Sequence, residues 1–137
     1  GENVAVEGTP MDFRKAHKIG DEIEADFEQL RITGGYDHNY VTDGYNKASI
    51  REIAEAWSEK TGIQMNVLTD CPCVQFYAAN FVDQEHGKNG HVNKREAFCL
   101  ETQVEPNAVN VENFHSPILE AGERYYSETI YRFSVKK

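Results

Sequence analysis

Glu101 lies in the middle of AFCLETQ, a stretch whose other residues carry no charge. A carboxylate in such a strand-like run must be exposed, paired with another group or used in chemistry, because an unpaired buried charge is costly. Taken alone, an outward-facing carboxylate is the simpler interpretation of Glu101. The alternative is a general acid or base in a proton transfer.

Two further segments carry polar side chains among glycines and aromatic residues. Asp37 and His38 follow two glycines in GGYDHNY, and Gln75 lies in VQFYAAN. Asp37 suits a turn in which its side chain bonds its own backbone, and Gln75 suits the solvated face of a strand. The functional alternative is a platform where Gln75 and an aromatic ring meet a polyhydroxylated ligand.

The usual signatures of metal and nucleotide sites are missing. Cys71 and Cys73 have Cys-x-Cys spacing rather than the Cys-x-x-Cys of zinc sites, and no histidines have the i, i+4 spacing of a helical metal pair. GxxxxGK and GxGxxG are also absent. We therefore expect no metal site and no cofactor. The chain has five histidines. We expect His86 and His91 to be solvated and His17 and His115 to lie in polar surroundings; the fifth is His38.

Composition excludes several classes of partner. The 137 residues include 14 Lys and Arg against 23 Asp and Glu, for a formal charge of -9, and the basic residues form no stripe. A nucleic-acid or anionic-membrane surface is not expected. The charge-free stretch from Cys71 to Val82 is too short and too polar to span a bilayer. The odd number of cysteines and the lack of a signal-peptide pattern favour a reducing cytoplasm.

The elements that would position these residues are mostly strands. Alternation and β-branched or aromatic residues predict a hairpin around a SEKTG turn and several further strands. The predicted strands cover 4–6, 63–67, 74–78, 98–103 and 125–135. The segment 49–60 could be helical by propensity, but we prefer to interpret it as the first half of the hairpin, running into the SEKTG turn. The polar segments 83–93 and 105–117 are predicted loops.

One short helix is predicted in DEIEADFEQL. Asp21 with Glu24 three residues later is typical of an N-terminal cap, and Ile23, Phe27 and Leu30 recur at helical spacing. The overall pattern is that of an all-β, antiparallel chain with long polar loops, compatible with a sandwich.

Five segments together, in order and spacing, resemble the C-terminal part of the aldose 1-epimerase (galactose mutarotase) family. They are GTPMDFRKAHKIG, GGYDHNYV, TDCPCVQFYAANF, AFCLETQVEPNAVN and SPILEAGERYYSETIYRFS, within residues 8–134. The resemblance implies a large antiparallel β-supersandwich. We expect residues 1–137 to be the C-terminal part of one such domain, without its upstream strands.

The resemblance also implies a reaction, the interconversion of the α and β anomers of a free aldohexose such as galactose or glucose, without a cofactor. In the family pattern the position of Glu101 is the general base that takes the proton of the anomeric hydroxyl. Asp37 matches a carboxylate that bonds sugar hydroxyls, and Gln75 matches a further substrate contact. We do not assign His38 the role of the acid.

The family's general-acid histidine, second substrate histidine and early arginine belong to segments upstream of this chain. Because the chain also begins with Gly1 rather than Met, we expect it to be catalytically incomplete alone and to need the upstream half, attached or as a separate chain. Two alternatives stay open: a non-catalytic carbohydrate-binding sandwich, and a hexose-phosphate epimerase of the same fold. The second would require clustered Arg and Lys for the phosphate.

Overall fold

The computed structural model describes residues 2–47 and 49–136, which form mostly short strands joined by long loops. One helix of six residues is present in this part of the chain, and no helix in it has the length and apolar character needed to cross a membrane. In chain order the elements are α1 (Glu28–Thr33), β1 (Asp37–Val41), β2 (Arg51–Trp57), β3 (Ile63–Thr69), β4 (Cys73–Tyr77), β5 (Gln84–Gly87), β6 (Gly90–Val92), β7 (Cys99–Gln103), the 3₁₀ turn η1 (Ala108–Asn110) and β8 (Thr129–Val135).

The strands form three small sheets, with the orders β1-β4-β7, β2-β3-β8 and β5-β6. The chain also divides into two compact units. The first comprises Gly1–His38 and Gln75–Leu100, and the second comprises Asn39–Val74 and Glu101–Lys137. The boundary falls inside β1, β4 and β7, so each of these strands contributes residues to both units.

The first unit has an aromatic core centred on Tyr36, whose side chain is fully buried. Its ring stacks on Phe76 at 5.3 Å between centroids and meets the edge of Phe13 at 5.0 Å. The Tyr36 hydroxyl donates a hydrogen bond to the Pro10 carbonyl at 2.9 Å, which satisfies the one polar atom of this side chain. Burial thus fixes the residue immediately before Asp37.

Position 35, next to Tyr36, requires a glycine because of both its backbone conformation and the side chain beside it. Its φ of +138° is rarely adopted by other residues, and an added Cβ would lie 2.3 Å from Oδ1 of Asn80. Asn80 is itself buried, and its Nδ2 donates to the Tyr36 carbonyl at 2.8 Å and to the Thr33 carbonyl at 3.2 Å. These bonds join the end of α1 to the segment after β4.

The second unit contains the sheet β2-β3-β8, in which both strand pairs are antiparallel. The hairpin turn after β2 is closed by bonds between Ser58 and both Ile63 and Gly62, and Gly62 has a φ of +73°. The predicted hairpin with its SEKTG turn is therefore confirmed. Central β3 supplies Val67 and Thr69, both fully buried.

The predicted strands at β4, β7 and β8 are present, although β8 begins at Thr129 rather than near residue 125. The segment 83–93, predicted as a loop, forms the small hairpin β5-β6. The predicted N-terminal strand is wrong. Val4 is 76% exposed, and the Val6 carbonyl accepts a turn bond from the Thr9 amide.

The helix prediction placed the helix too early. Asp21 accepts a bond from the Lys18 amide in a turn, and Glu24 pairs with Arg95 at 2.6 Å, so neither side chain caps a helix. α1 begins after Phe27, which is extended. Of the residues at helical spacing, Ile23 and Leu30 are buried and Phe27 is half-buried, but the acidic side chains bind partners outside the helix.

Candidate active site

In the first unit, the structure brings the side chains of Asp37 and Gln75 together. Nε2 of Gln75 donates a hydrogen bond to Oδ1 of Asp37 at 2.7 Å. This length is typical of a charge-assisted hydrogen bond. Asp37 begins β1 and Gln75 is the central residue of β4, its neighbour in the sheet. Asp37 is therefore a strand residue held by another strand, and the interpretation of it as a simple turn residue was wrong.

The pairing of β1 with β4 is defined by bonds at the two ends of the pair. The Thr42 amide donates to the Pro72 carbonyl at 2.9 Å, and the Ala78 amide donates to the Tyr36 carbonyl at 2.9 Å. Residues after β1 thus pair with residues before β4, which is an antiparallel arrangement. Both Asp37 and Gln75 are half-buried, so their contact is only partly screened by water.

His38 is positioned as a neutral imidazole beside Asp37. Its Nδ1 accepts a hydrogen bond from the backbone N–H of Asp37 at 3.0 Å. Burial lowers the pKa of His38 below 6.5, against smaller opposing effects of the Asp37 charge and a backbone hydrogen bond of Gln29. Near neutral pH this side chain holds the backbone of Asp37 rather than supplying a charge.

Glu101, the third predicted site residue, lies on β7 in the second unit, and its side chain is exposed. Alternation along the strand places Glu101 and Gln103 on one face and Thr102 on the other. The Thr102 hydroxyl lies 2.5 Å from the Thr129 hydroxyl of β8. β7 is therefore anchored through the face opposite Glu101.

Gln103 is also fixed within the second unit, because its Nε2 donates to Oδ1 of Asn39 on β1 at 3.0 Å. Both side chains are half-buried. This bond holds the end of β7 through the face that carries Glu101.

The second unit contains a further polar cluster, formed by Cys73, Glu105 and His115. One potential ligand atom from each of the three residues lies within 4.8 Å of the other two. The carboxylate of Glu105 is 3.0 Å from Nδ1 of His115 and also accepts the His115 backbone N–H at 3.2 Å. His115 has the polar surroundings expected of it, because it pairs with the Glu105 carboxylate, and its side chain is half-buried.

The charges in this cluster follow from burial and hydrogen bonding. Burial raises the pKa of Glu105, but bonds from its own backbone and from His115, with the His115 charge, bring the pKa below its usual value. Burial raises the pKa of the Cys73 thiol to about 11, while a hydrogen bond with Asn39 lowers it. At neutral pH the Cys73 thiol is therefore protonated, and it lies near the Glu105 carboxylate and the His115 ring.

The residues of this cluster had no local signal in the sequence. Glu105 and His115 lie in a segment predicted as a loop, and Cys73 has no ligand-like spacing to either of them. Only the pairing of β4 and β7 in one sheet, followed by the path of the chain after β7, brings these residues together.

Comparison with known proteins shows what this chain is similar to. The family model described as aldose 1-epimerase matches residues 1–132. The chain is 39% identical to galactose mutarotase from Homo sapiens over 137 residues, covering 98% of this chain and 38% of the human protein. It is 32% identical to aldose 1-epimerase from Escherichia coli (strain K12) over 133 residues, covering 94% of this chain and 38% of the bacterial protein.

A solved structure agrees with these matches. The crystal structure of the GalM/aldose epimerase homologue from C. elegans superimposes with a TM-score of 0.81 at 29% identity, covering 97% of this chain and 39% of that one. The predicted antiparallel, all-β fold class is confirmed. The chain spans about two fifths of the length of the relatives it matches. With a family match along nearly all of its residues, the chain belongs to the aldose 1-epimerase family.

Proposed function

We propose that the protein to which this chain belongs is an aldose 1-epimerase, which interconverts the α and β anomers of a free aldohexose such as galactose or glucose. The observation that carries the proposal is the family match over residues 1–132, which includes the whole of CLETQ. The name of the human relative, galactose mutarotase, supports galactose as a substrate.

In the proposed reaction Glu101 acts as general base and removes the proton of the anomeric hydroxyl. The electrons of that O–H bond form the C1 carbonyl, the bond between C1 and the ring oxygen breaks, and an acid protonates the ring oxygen. Rotation about the C1–C2 bond and closure by the reverse proton transfers give the other anomer. Paired proton transfers lower the barrier because neither a free alkoxide nor a free oxocarbenium ion forms.

Asp37 and Gln75 are proposed to bind the sugar. The 2.7 Å bond from Gln75 engages Oδ1 of Asp37 and restricts rotation of the carboxylate. The other oxygen can then accept a hydrogen bond from a sugar hydroxyl in a fixed direction. A preset acceptor loses less conformational entropy on binding than a rotating one.

We propose that the upstream half of the protein, attached or as a separate chain, supplies the acid and completes the site. The coverage of 38% of the human relative supports this, because most of that protein lies outside the match. Glu101 is exposed in the present chain. A covering segment that excludes water would make its carboxylate a more effective base. The three free cysteines favour a reducing cytoplasm as the location.

The test is polarimetry of fresh α-galactose and α-glucose with the complete gene product. We expect acceleration over buffer, and Glu101→Gln should lower kcat by about 10²- to 10⁴-fold, the contribution of a general base. Glu85→Gln, at an exposed position of β5, is the matched control and should keep full activity. An intact gene product without any acceleration would refute the epimerase assignment. Sugar binding that survives Glu101→Gln without any catalysis in the unmodified protein would support the carbohydrate-binding alternative.

A further inference from the structure

A cluster in the second unit has the composition of a metal site although the proposed sugar chemistry does not use it. We propose that Cys73, Glu105 and His115 bind a divalent metal ion of the zinc class. The three residues offer one sulfur, one oxygen and one nitrogen ligand, and the ligand atoms lie within 4.8 Å of one another. Thiolate, imidazole and carboxylate are the three ligand types that zinc takes in proteins.

The distances in the cluster are close to those that a zinc ion needs. With metal–ligand bonds of about 2.0 to 2.3 Å in tetrahedral geometry, neighbouring ligand atoms lie about 3.3 to 3.6 Å apart. The Glu105 oxygen and the His115 nitrogen are 3.0 Å apart, so they would separate slightly. The ligand atoms lie within 4.8 Å of one another, so no pair would have to approach by more than about 1.5 Å.

The backbone already holds these residues in place. Cys73 begins β4 and is fully buried, and Glu105 lies two positions after the end of β7 and is 3% exposed. His115 follows η1, and its backbone N–H is bonded to the Glu105 carboxylate, so the side chain and the backbone of His115 share one partner. A bound ion would add three metal–ligand bonds that join these separate segments.

Outer contacts of the kind that orient metal ligands surround the cluster. Nε2 of Gln103 donates to Oδ1 of Asn39 at 3.0 Å, so the NH₂ group of Asn39 is left for other partners. Asn39 is also hydrogen-bonded to the Cys73 sulfur. The ring of Tyr45 meets His115 edge-on at 4.7 Å between centroids. Hydrogen bonds to ligand atoms and packing on ligating imidazoles both favour a defined ligand geometry.

Binding converts the Cys73 thiol to a thiolate, and the released proton passes to solvent. Three protein ligands leave a fourth position, which a water molecule can fill on the side of His115, the least buried of the three residues. The ion would tie β4 to the chain after β7. This proposal does not depend on epimerase activity.

The first experiment titrates the complete protein, freed of metal with a chelator, with Co²⁺ and with Zn²⁺. We expect saturable binding of one ion per chain, and near-ultraviolet absorption from charge transfer between the thiolate and cobalt. Zn²⁺ should displace Co²⁺ and abolish this absorption, because zinc prefers tetrahedral sites with these ligands.

Variants identify the ligands. Cys73→Ser should abolish the charge-transfer absorption, and His115→Gln should weaken Co²⁺ binding by more than the about 10- to 100-fold typical of an outer contact. Cys99→Ser is the matched control, because Cys99 is a free, exposed thiol outside the cluster, and it should bind like the unmodified protein. If Cys73→Ser fails to fold, His115→Gln alone decides the result, since His115 lies in a half-buried loop.

Three outcomes would overturn the proposal. The first is the lack of saturable Co²⁺ or Zn²⁺ binding by folded protein. The second is loss of the absorption in Cys99→Ser, which would locate metal binding at the exposed thiol. The third is unchanged affinity in folded His115→Gln. In each of these cases Cys73, Glu105 and His115 form only a hydrogen-bonded cluster, while polarimetry still tests the epimerase separately.

Discussion

Replacing Gln75 by leucine removes the hydrogen bond to Asp37 while keeping a side chain of similar size. The bond measures 2.7 Å from Nε2 to Oδ1, at the short end of the charge-assisted range. Hydrogen bonds to charged groups contribute about 1.5–3 kcal/mol, and the lower value suits this half-buried pair. We expect the free energy of unfolding to fall by about 1.5 kcal/mol.

The effect on catalysis follows from the freed rotation of the Asp37 carboxylate. If the full contribution of the bond serves to orient Asp37 toward the sugar, 1.5 kcal/mol corresponds to a decrease of about tenfold in kcat/KM. Gln75→Glu should decrease kcat/KM further near neutral pH, because two carboxylates then face each other. Its activity should recover partly in acid, where the two groups can share a proton.

The assay is polarimetry with the complete gene product, together with urea unfolding of the same samples. Gln84→Leu, at an exposed position of β5 in the same unit, is the matched control and should leave both quantities unchanged. A folded Gln75→Leu variant with kcat/KM within about twofold of the unmodified enzyme would refute a positioning role for Gln75. Equal activity of Gln75→Glu and Gln75→Leu across pH would refute direct contact with Asp37.

Two further predictions concern stability. Burial lowers the pKa of His38 from 6.5, so the unfolded chain binds more protons than the folded chain just below that pH. The free energy of unfolding should therefore fall by up to about 1.4 kcal/mol per pH unit as the pH decreases. His38→Asn should flatten this loss in urea unfolding between about pH 7.5 and 5, whereas the exposed His86→Asn should not; equal slopes would contradict the assignment. Gly35→Ala should destabilise the folded protein by about 2 kcal/mol more than Gly44→Ala. Both glycines have a positive φ, but only Gly35 lacks space for a Cβ. Equal thermal unfolding temperatures of the two variants would show that the neighbours of Gly35 move aside freely.

The strands that carry Gln75 and Glu101 could be predicted from the sequence because their signal is local. Alternation along 74–78 and 98–103 is a property of neighbouring residues, and it located β4 and β7 to within one residue at each end. Local residue preferences predicted the wrong backbone conformation for Asp37. Two glycines before it indicated a turn, yet the turn ends at Gly35 and the buried Tyr36 carries the chain directly into β1.

The helix was misplaced because a capping pattern depends on what else its side chains can bind. Asp21 and Glu24 have the right spacing for a cap, but Asp21 closes a turn with Lys18 and Glu24 pairs with Arg95. Arg95 lies far along the chain, after the small hairpin β5-β6. Such a partner depends on tertiary structure, which a local pattern does not contain.

The Cys73 cluster shows the limit of excluding a metal site by ligand spacing. Cys-x-x-Cys and His pairs at i, i+4 are recognisable because one turn or one helix presents both ligands, so their absence excludes only sites built by one local element. Cys73, Glu105 and His115 come from a strand and two separate loop positions, and their distances depend on the order β1-β4-β7. A sheet brings residues far apart in sequence within a few ångströms without leaving any fixed spacing between them. The expectation of no metal site rests on local motifs alone, whereas the cobalt titration tests the proposed site, whose residues only the fold brings together.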